Sequence, residues 1–176
     1  MIRTLLLAAT VPLLTAAFIP SGPELGKAEA QCRPGEPGPA VMVEVVGLKD
    51  RTGRLKVEVY PATEGDFLAD DNILLMAGKT FRRSEGPVPA ERNPRLCLRI
   101  PGPGRYAVMV LHDRDANHRF NWQHDGVGFS ANPHLGWSKP KAESVAFSAG
   151  AGITPLRIVL NYRNGLFSIG PSTENR

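Results

Sequence analysis

The sequence lacks the motifs by which many enzymes and nucleic-acid-binding proteins are recognised. It has no glycine-rich phosphate loop and no dinucleotide-binding fingerprint, and neither Ser130 nor Ser138 lies in a nucleophile elbow. Its basic residues are scattered, and the largest cluster is Arg82-Arg83, so no basic arm suited to nucleic acid is present. We therefore predict a protein that is not an enzyme and does not bind nucleic acid.

Cysteine is also scarce, with Cys32 and Cys97 as the two cysteines of the chain. They form no Cys-x-x-Cys pair, which argues against a zinc ribbon and against a thioredoxin-like redox motif. In an oxidising compartment an even pair usually forms a bridge, so we predict a Cys32–Cys97 disulfide. The alternative is two free buried thiols.

The N-terminus has the features of an export signal. Arg3 precedes an apolar stretch over residues 5–20, which is on the short side for a membrane span of about 20 residues. Ala28-Glu29-Ala30 offers small residues to a signal peptidase, and Ala17 is a possible earlier site. We predict a signal peptide over residues 1–30, a periplasmic or secreted protein, and no membrane span after cleavage. The alternative is a retained anchor.

The rest of the chain alternates like β-strands. After a Pro/Gly-rich leader (31–39), runs at 40–48 and 55–60 flank a short polar turn and predict a β-hairpin whose charged residues face water. Apolar residues on both faces of 105–111 predict a central strand. The predicted fold is an all-β antiparallel sandwich of about seven strands over residues 40–165, followed by a polar tail (166–176). The strand candidates are 40–48, 55–60, 80–85, 95–100, 105–111, 144–148 and 153–162.

One long loop, residues 112–137, interrupts this pattern and is the candidate functional site. Its acids and amides fall at the odd positions of an EF-hand-like loop, which predicts convergence on one centre and makes calcium the candidate cofactor. His118 stands where such a loop turns at glycine. The alternative is that these side chains cap turns through their own backbone. The candidate calcium ligands are Asp113, Asp115, Asn117, Asn121 and Asp125.

Histidines and aromatic residues in the same loop suggest other ligands. His112, His118 and His124 form an alternative set for zinc or copper. Tryptophan and phenylalanine side chains here either anchor the loop or contact a ligand such as a sugar ring. The candidate ligand-contact residues are Trp122, Phe129 and Trp137.

Two runs of sequence carry a family resemblance: Tyr-Ala-Val-x-x-Leu-His-Asp (106–113) and Gly-Phe-Ser-x-Asn-Pro (128–133). Over residues 40–165 the chain resembles domain-of-unknown-function family 2141 of secreted bacterial proteins. The resemblance implies an Ig-like or transthyretin-like sandwich in the periplasm or outside the cell, and implies no activity. Many members carry an Asp-x-Asn-Gly-Asn-Gly-like loop, in which His118 replaces the last glycine.

These observations lead to one functional hypothesis with alternatives. We expect a secreted or periplasmic binding or accessory domain that uses the 112–137 loop, with a cell-envelope protein or a glycan as its partner. The alternatives are a small zinc or copper protein and a carbohydrate-binding module.

Overall fold

The structure is a computed structural model that describes residues 18–136, 138–165 and 168–172. These residues form ten β-strands and three short helices. The elements are α1 (Lys27–Ala30), β1 (Ala40–Val46), β2 (Arg54–Pro61), α2 (Asp71–Met76), β3 (Arg82–Pro87), β4 (Arg95–Arg99), β5 (Gly104–Asp113), β6 (Gly126–Phe129), α3 (Ala142–Val145), β7 (Ala146–Ala149), β8 (Ile153–Val159), β9 (Asn161–Arg163) and β10 (Ile169–Pro171).

The strands form a small sheet and a large sheet. The small sheet has the order β4-β1-β8, and the large sheet has the order β10-β9-β6-β5-β2-β3, with β7 pairing to the first half of β5. The pairs are antiparallel except β1 with β8, which is parallel. The prediction of an all-β sandwich is confirmed.

The main core lies between the two sheets, and β5 is central to the large sheet. Tyr106, Val108 and Val110 of β5 belong to this core. Ala107 and Met109, on the opposite face of β5, belong to a second apolar cluster that covers the outside of the large sheet. The prediction that both faces of this strand are covered is confirmed.

The outer face of β2 differs from its prediction. Lys56 and Glu58 were expected to face water, yet they are only 8% and 2% exposed. The loop before α2 and the helix itself pack over this face, where Phe67 and Leu74 join the second cluster. Alternation identified the two faces of β2 correctly, but the local pattern did not reveal that a later segment covers the charged one.

The predicted hairpin between the first two strands is wrong. Strand β1 pairs with β4 and β8 in the small sheet, while β2 pairs with β3 and β5 in the large sheet. The polar turn between β1 and β2 therefore crosses from one sheet to the other. The segment 150–152 likewise joins β7 and β8 across the sheets.

The strand count and several boundaries also need correction. The 112–137 loop contains β6, the run at 153–162 divides into β8 and β9, and the tail contributes β10, so ten strands replace seven. The connection between β2 and β3 contains the short helix α2, which begins at Asp71. Strand β3 lies at the edge of the large sheet. Trp137 lies outside the described residues.

A disulfide links Cys32 to Cys97, as predicted. It fastens the segment before β1 to the outer surface of β4, next to a single bridge between Gln31 and Leu98. Within the described part of the chain, no helix has the length and apolar character needed to cross a membrane.

Candidate functional site

The loop that follows β5 begins at a buried histidine. The ring of His112 is fully buried, with Nδ1 2.7 Å from the Tyr162 hydroxyl and Nε2 2.9 Å from the Thr52 carbonyl. A carbonyl only accepts, so Nε2 carries the proton and Nδ1 accepts from Tyr162. Burial lowers the pKa of His112, although the Thr52 carbonyl and Asp50 act in the opposite direction. This histidine connects β5, β9 and the turn before β2.

Two buried aspartates organise the loop itself. The oxygens of Asp113 accept from the backbone N–H groups of Asn117 and His118, at 3.2 and 2.8 Å. The oxygens of Asp125 accept from the N–H groups of Arg114 and Asn121, at 3.0 and 2.7 Å. Burial raises the pKa of Asp113, and the nearby charge of Asp125 adds to the rise, while the backbone N–H groups oppose it.

The predicted calcium ligands do converge in part. Carboxylate oxygens of Asp113, Asp115 and Asp125 lie within 4.8 Å of one another. However, all eight side-chain oxygens of the five predicted ligands accept hydrogen bonds from within the loop. This pattern favours the alternative in which the loop caps itself. A carboxylate oxygen can still accept a second contact, so calcium binding stays a prediction.

The three histidines predicted as zinc or copper ligands differ in their burial and their hydrogen-bond partners. Both ring nitrogens of His112 have protein partners, as described above. The ring of His118 is 44% exposed, and its Nδ1 lies 2.8 Å from Glu85 Oε1. Among the described residues, the ligand sets that converge within 4.8 Å contain at most one histidine, in the group Glu85, Asp113 and His118.

A separate and larger feature is an open pocket on the outer face of the large sheet. It has a volume of about 910 Å³, within the range of small-molecule sites. Its floor is formed by β2, β3, β5 and β6, and one side by the loop before α2. Another side is formed by residues 119, 120, 122, 135, 136 and 138–140. The apolar walls include Leu68, Phe81, Met109, Val127, Phe129 and Leu135.

The polar part of the floor is a buried network centred on Arg83. Its Nε donates to Glu58 Oε1 at 2.7 Å, and an NH2 group lies 3.1 Å from Asp71. Glu58 also accepts from the Tyr60 hydroxyl at 2.6 Å and lies 3.6 Å from Lys56. Burial raises the pKa of Tyr60 strongly, and the Glu58 charge adds to it. The network places two cations and two anions in a nearly dry site.

The rim of the pocket is aromatic and cationic. Phe120 is 50% exposed, and the Trp122 ring lies 4.4 Å from the Arg163 guanidinium, which covers one of its faces. Arg119 and Lys139 line the same rim and are exposed. Of the predicted ligand-contact residues, Trp122 and Phe129 both line the pocket, and Phe129 also packs edge-on against Phe67.

Sequence reasoning missed most of this pocket. Lys56 and Glu58 lie on an alternating strand and were predicted to face water, and Arg83 was noted only as part of the Arg82-Arg83 cluster. The sequence feature that could have indicated the pocket is the spacing that places Lys56, Glu58 and Tyr60 on one face of β2. The sequence does not show which segment of the chain covers that face.

A scan against protein families matches residues 43–156 to the family described as uncharacterised proteins conserved in bacteria, DUF2141. The chain belongs to this family. No curated protein and no solved structure matches it significantly.

The motif residues of this DUF2141 protein mostly hold the fold together. Ser130 hydrogen-bonds the Val108 N–H at 2.9 Å and donates to the carbonyl of Val145. The Asn132 side chain crosses to the small sheet, where it accepts from the Val159 N–H and donates to the Arg157 carbonyl. Ser130 and Asn132 of the second motif therefore serve the architecture, while Phe129 of the same motif lines the pocket, which is the candidate site.

Proposed function

We propose that this protein is a secreted or periplasmic, non-enzymatic binding domain whose ligand occupies the pocket on the outer face of the large sheet. The observation that carries the proposal is the 910 Å³ pocket, which combines apolar walls with a buried polar floor. Such a combination is typical of small-molecule sites, in which apolar walls supply affinity and a few polar groups fix orientation.

The walls favour a ligand with an apolar body. Met109, Val127 and Phe129 present side chains from two adjacent strands, and Leu68 and Leu135 face them from the covering loops. Apolar area removed from water contributes about 25 cal/mol per Å², so a ligand body buried here gains most of its affinity from these contacts.

The charges favour an acidic group on that ligand. In the floor, Arg83 is neutralised by Glu58 and Asp71, both within 3.1 Å. At the rim, Arg119 and Lys139 outnumber Asp70, which leaves an excess of positive charge at the mouth. We therefore infer a small amphipathic anion, with its apolar end inside and its acidic group at the rim.

A matched pair of probes tests this proposal. Laurate and dodecylamine have the same chain and opposite charges, and their binding to the purified protein can be measured by titration calorimetry. We expect saturable binding of laurate that is at least tenfold tighter than that of dodecylamine. Equal affinities would contradict the charge argument, and no binding of either probe would contradict the pocket proposal.

Rim variants refine the test. Replacing Arg119 and Lys139 together with alanine should weaken laurate binding about tenfold, because two charged donors are lost. Lys141→Ala is the matched control, since this exposed lysine lies two residues from Lys139 and outside the pocket lining. An equal loss in the control would indicate a nonspecific charge effect.

A calcium-ordered loop stays the second candidate. The convergence of Asp113, Asp115 and Asp125 within 4.8 Å favours it. Millimolar calcium should then raise the unfolding temperature relative to chelator, and Asp115→Ala should abolish the rise. Asp115 is suited to this test because it is exposed, unlike the two buried aspartates. An unchanged unfolding temperature would favour the self-capped loop.

A further inference from the structure

The segment 18–30, which precedes the predicted cleavage site after Ala30, packs against the domain. The Gly22 carbonyl accepts a hydrogen bond from the Arg83 guanidinium at 2.8 Å, and the Ile19 carbonyl accepts one from the Asn72 side chain at 3.0 Å. The Gly26 carbonyl accepts from the Arg83 backbone N–H at 3.1 Å. These contacts extend along the segment and involve residues of both α2 and β3.

The side chains and backbone of this segment also fit their surroundings closely. Ala30 is 2% exposed and belongs to the core between the sheets. Gly26 has a φ of +76°, and a Cβ placed there would lie 2.8 Å from the Phe81 ring. Lys27 lies 3.7 Å from Glu85, whose carboxylate is almost completely buried. Residue 26 must be glycine both because its backbone is left-handed and because a side chain would collide with Phe81. Such a position indicates that the segment is packed closely against the domain.

The same segment contributes to the pocket. Ser21 lines it, and the Gly22 carbonyl supplies one of the partners of Arg83 in the floor. Removal of residues 18–30 would leave an Arg83 donor unpaired in a buried site and would open the pocket on one side. A cut after Ala30 would thus remove part of the fold and part of the candidate site.

We propose that the export signal ends at Ala17 and that the mature protein begins at Phe18. Thr15-Ala16-Ala17 offers small residues at the two positions that a signal peptidase reads, near the end of the apolar stretch over residues 5–20. Cleavage there leaves intact the segment that contacts Asn72, Phe81 and Arg83. This inference rests on the export included in the proposed function.

The mass of the processed protein tests the proposal. The full chain is expressed in a bacterium, recovered from the envelope fraction or the medium, and analysed by intact mass spectrometry. We expect a chain that begins at Phe18. A chain that begins at Gln31 would overturn the inference and leave export intact, whereas an unprocessed chain would contradict export itself.

Two substitutions separate the alternative cleavage sites. Ala17→Leu places a large residue next to the proposed cut and should block processing, with at least a tenfold loss of the mature form. Ala28→Leu is the matched control, because Ala28 is exposed and belongs to the later motif. Blockage by Ala28→Leu, with normal processing of Ala17→Leu, would overturn the inference.

A stability measurement gives an independent readout. If residue 26 remains in the mature protein, Gly26→Val should lower the unfolding temperature of the exported protein by about 3 °C or more, because valine is strained at positive φ. If residues 18–30 are removed, the purified protein is unchanged by this substitution. An unchanged unfolding temperature would therefore overturn the inference.

Discussion

Replacement of Arg83 by methionine should strongly destabilise the protein. Methionine preserves much of the length and apolar stem of the side chain and removes its charge. The guanidinium contacts Glu58, Asp71 and the Gly22 carbonyl, at 2.7, 3.1 and 2.8 Å. The two carboxylate side chains are only 3% and 4% exposed, so neither would gain water. Asp71 would lose its cation, and Glu58 would keep only Lys56, at 3.6 Å.

The expected magnitude follows from that burial. Removal of one partner from a buried ion pair costs about 3–5 kcal/mol, because the remaining charge is left unpaired in a low-dielectric site. For a domain of this size, each kcal/mol lowers the unfolding temperature by about 2–4 °C. We therefore expect Arg83→Met to lower the unfolding temperature by about 6–20 °C.

Thermal and urea unfolding measure this loss, and two further variants identify its origin. Arg82→Met is the matched control, because Arg82 precedes Arg83 on β3 and donates to the Phe81 carbonyl rather than to a carboxylate. Its cost should stay below about 1 kcal/mol. Glu58→Gln combined with Arg83→Met should cost less than the sum of the two single changes, since they remove opposite ends of one interaction. A cost below 1 kcal/mol for Arg83→Met, or strict additivity, would refute the buried network.

Three further predictions concern the framework. Burial lowers the pKa of His112 below 6.5, so the unfolded chain takes up the proton at a higher pH than the folded chain does. The contribution of His112 to stability is therefore present above pH 6.5 and declines as the pH falls below it. Urea unfolding at several pH values should show a shallower decline for His112→Gln. Changing both cysteines to serine should lower the free energy of unfolding by about 4 kcal/mol, since the bridge closes a loop of 65 residues, and a change below 1 kcal/mol would contradict this role. Gly126→Ala should cost about 1–3 kcal/mol in thermal unfolding, because its Cβ would overlap the Tyr162 ring; no loss would mean that the ring moves aside freely.

Local alternation predicted the elements of the fold better than their pairing. The two faces of β5 could be identified from the sequence because successive side chains of a strand point to opposite faces of the sheet. The partner of β1 could not, because β1 pairs in parallel with β8, with Ala40 opposite Ile153. A short turn between two alternating runs is typical of a hairpin, and only the distant partners of each run decide otherwise.

The candidate site was predicted in part for the same reason. The loop acids were found because their spacing is local, and they do surround a common centre. The pocket combines residues from five strands, from α2 and from loops far apart in the chain. Lys56 and Glu58 look like an ordinary solvent face until α2 and its preceding loop are placed over them, so their role depends on tertiary structure.

The most direct test of the pocket is a methyl NMR titration of the protein with [13C-methyl]methionine. Met109 lines the pocket, whereas Met42 lies on the small sheet and Met76 is 44% exposed on α2. The account predicts that laurate shifts the Met109 methyl resonance saturably and leaves the resonances of Met42 and Met76 nearly unchanged. Shifts confined to Met42 or Met76, or no saturable shift of Met109, would contradict it.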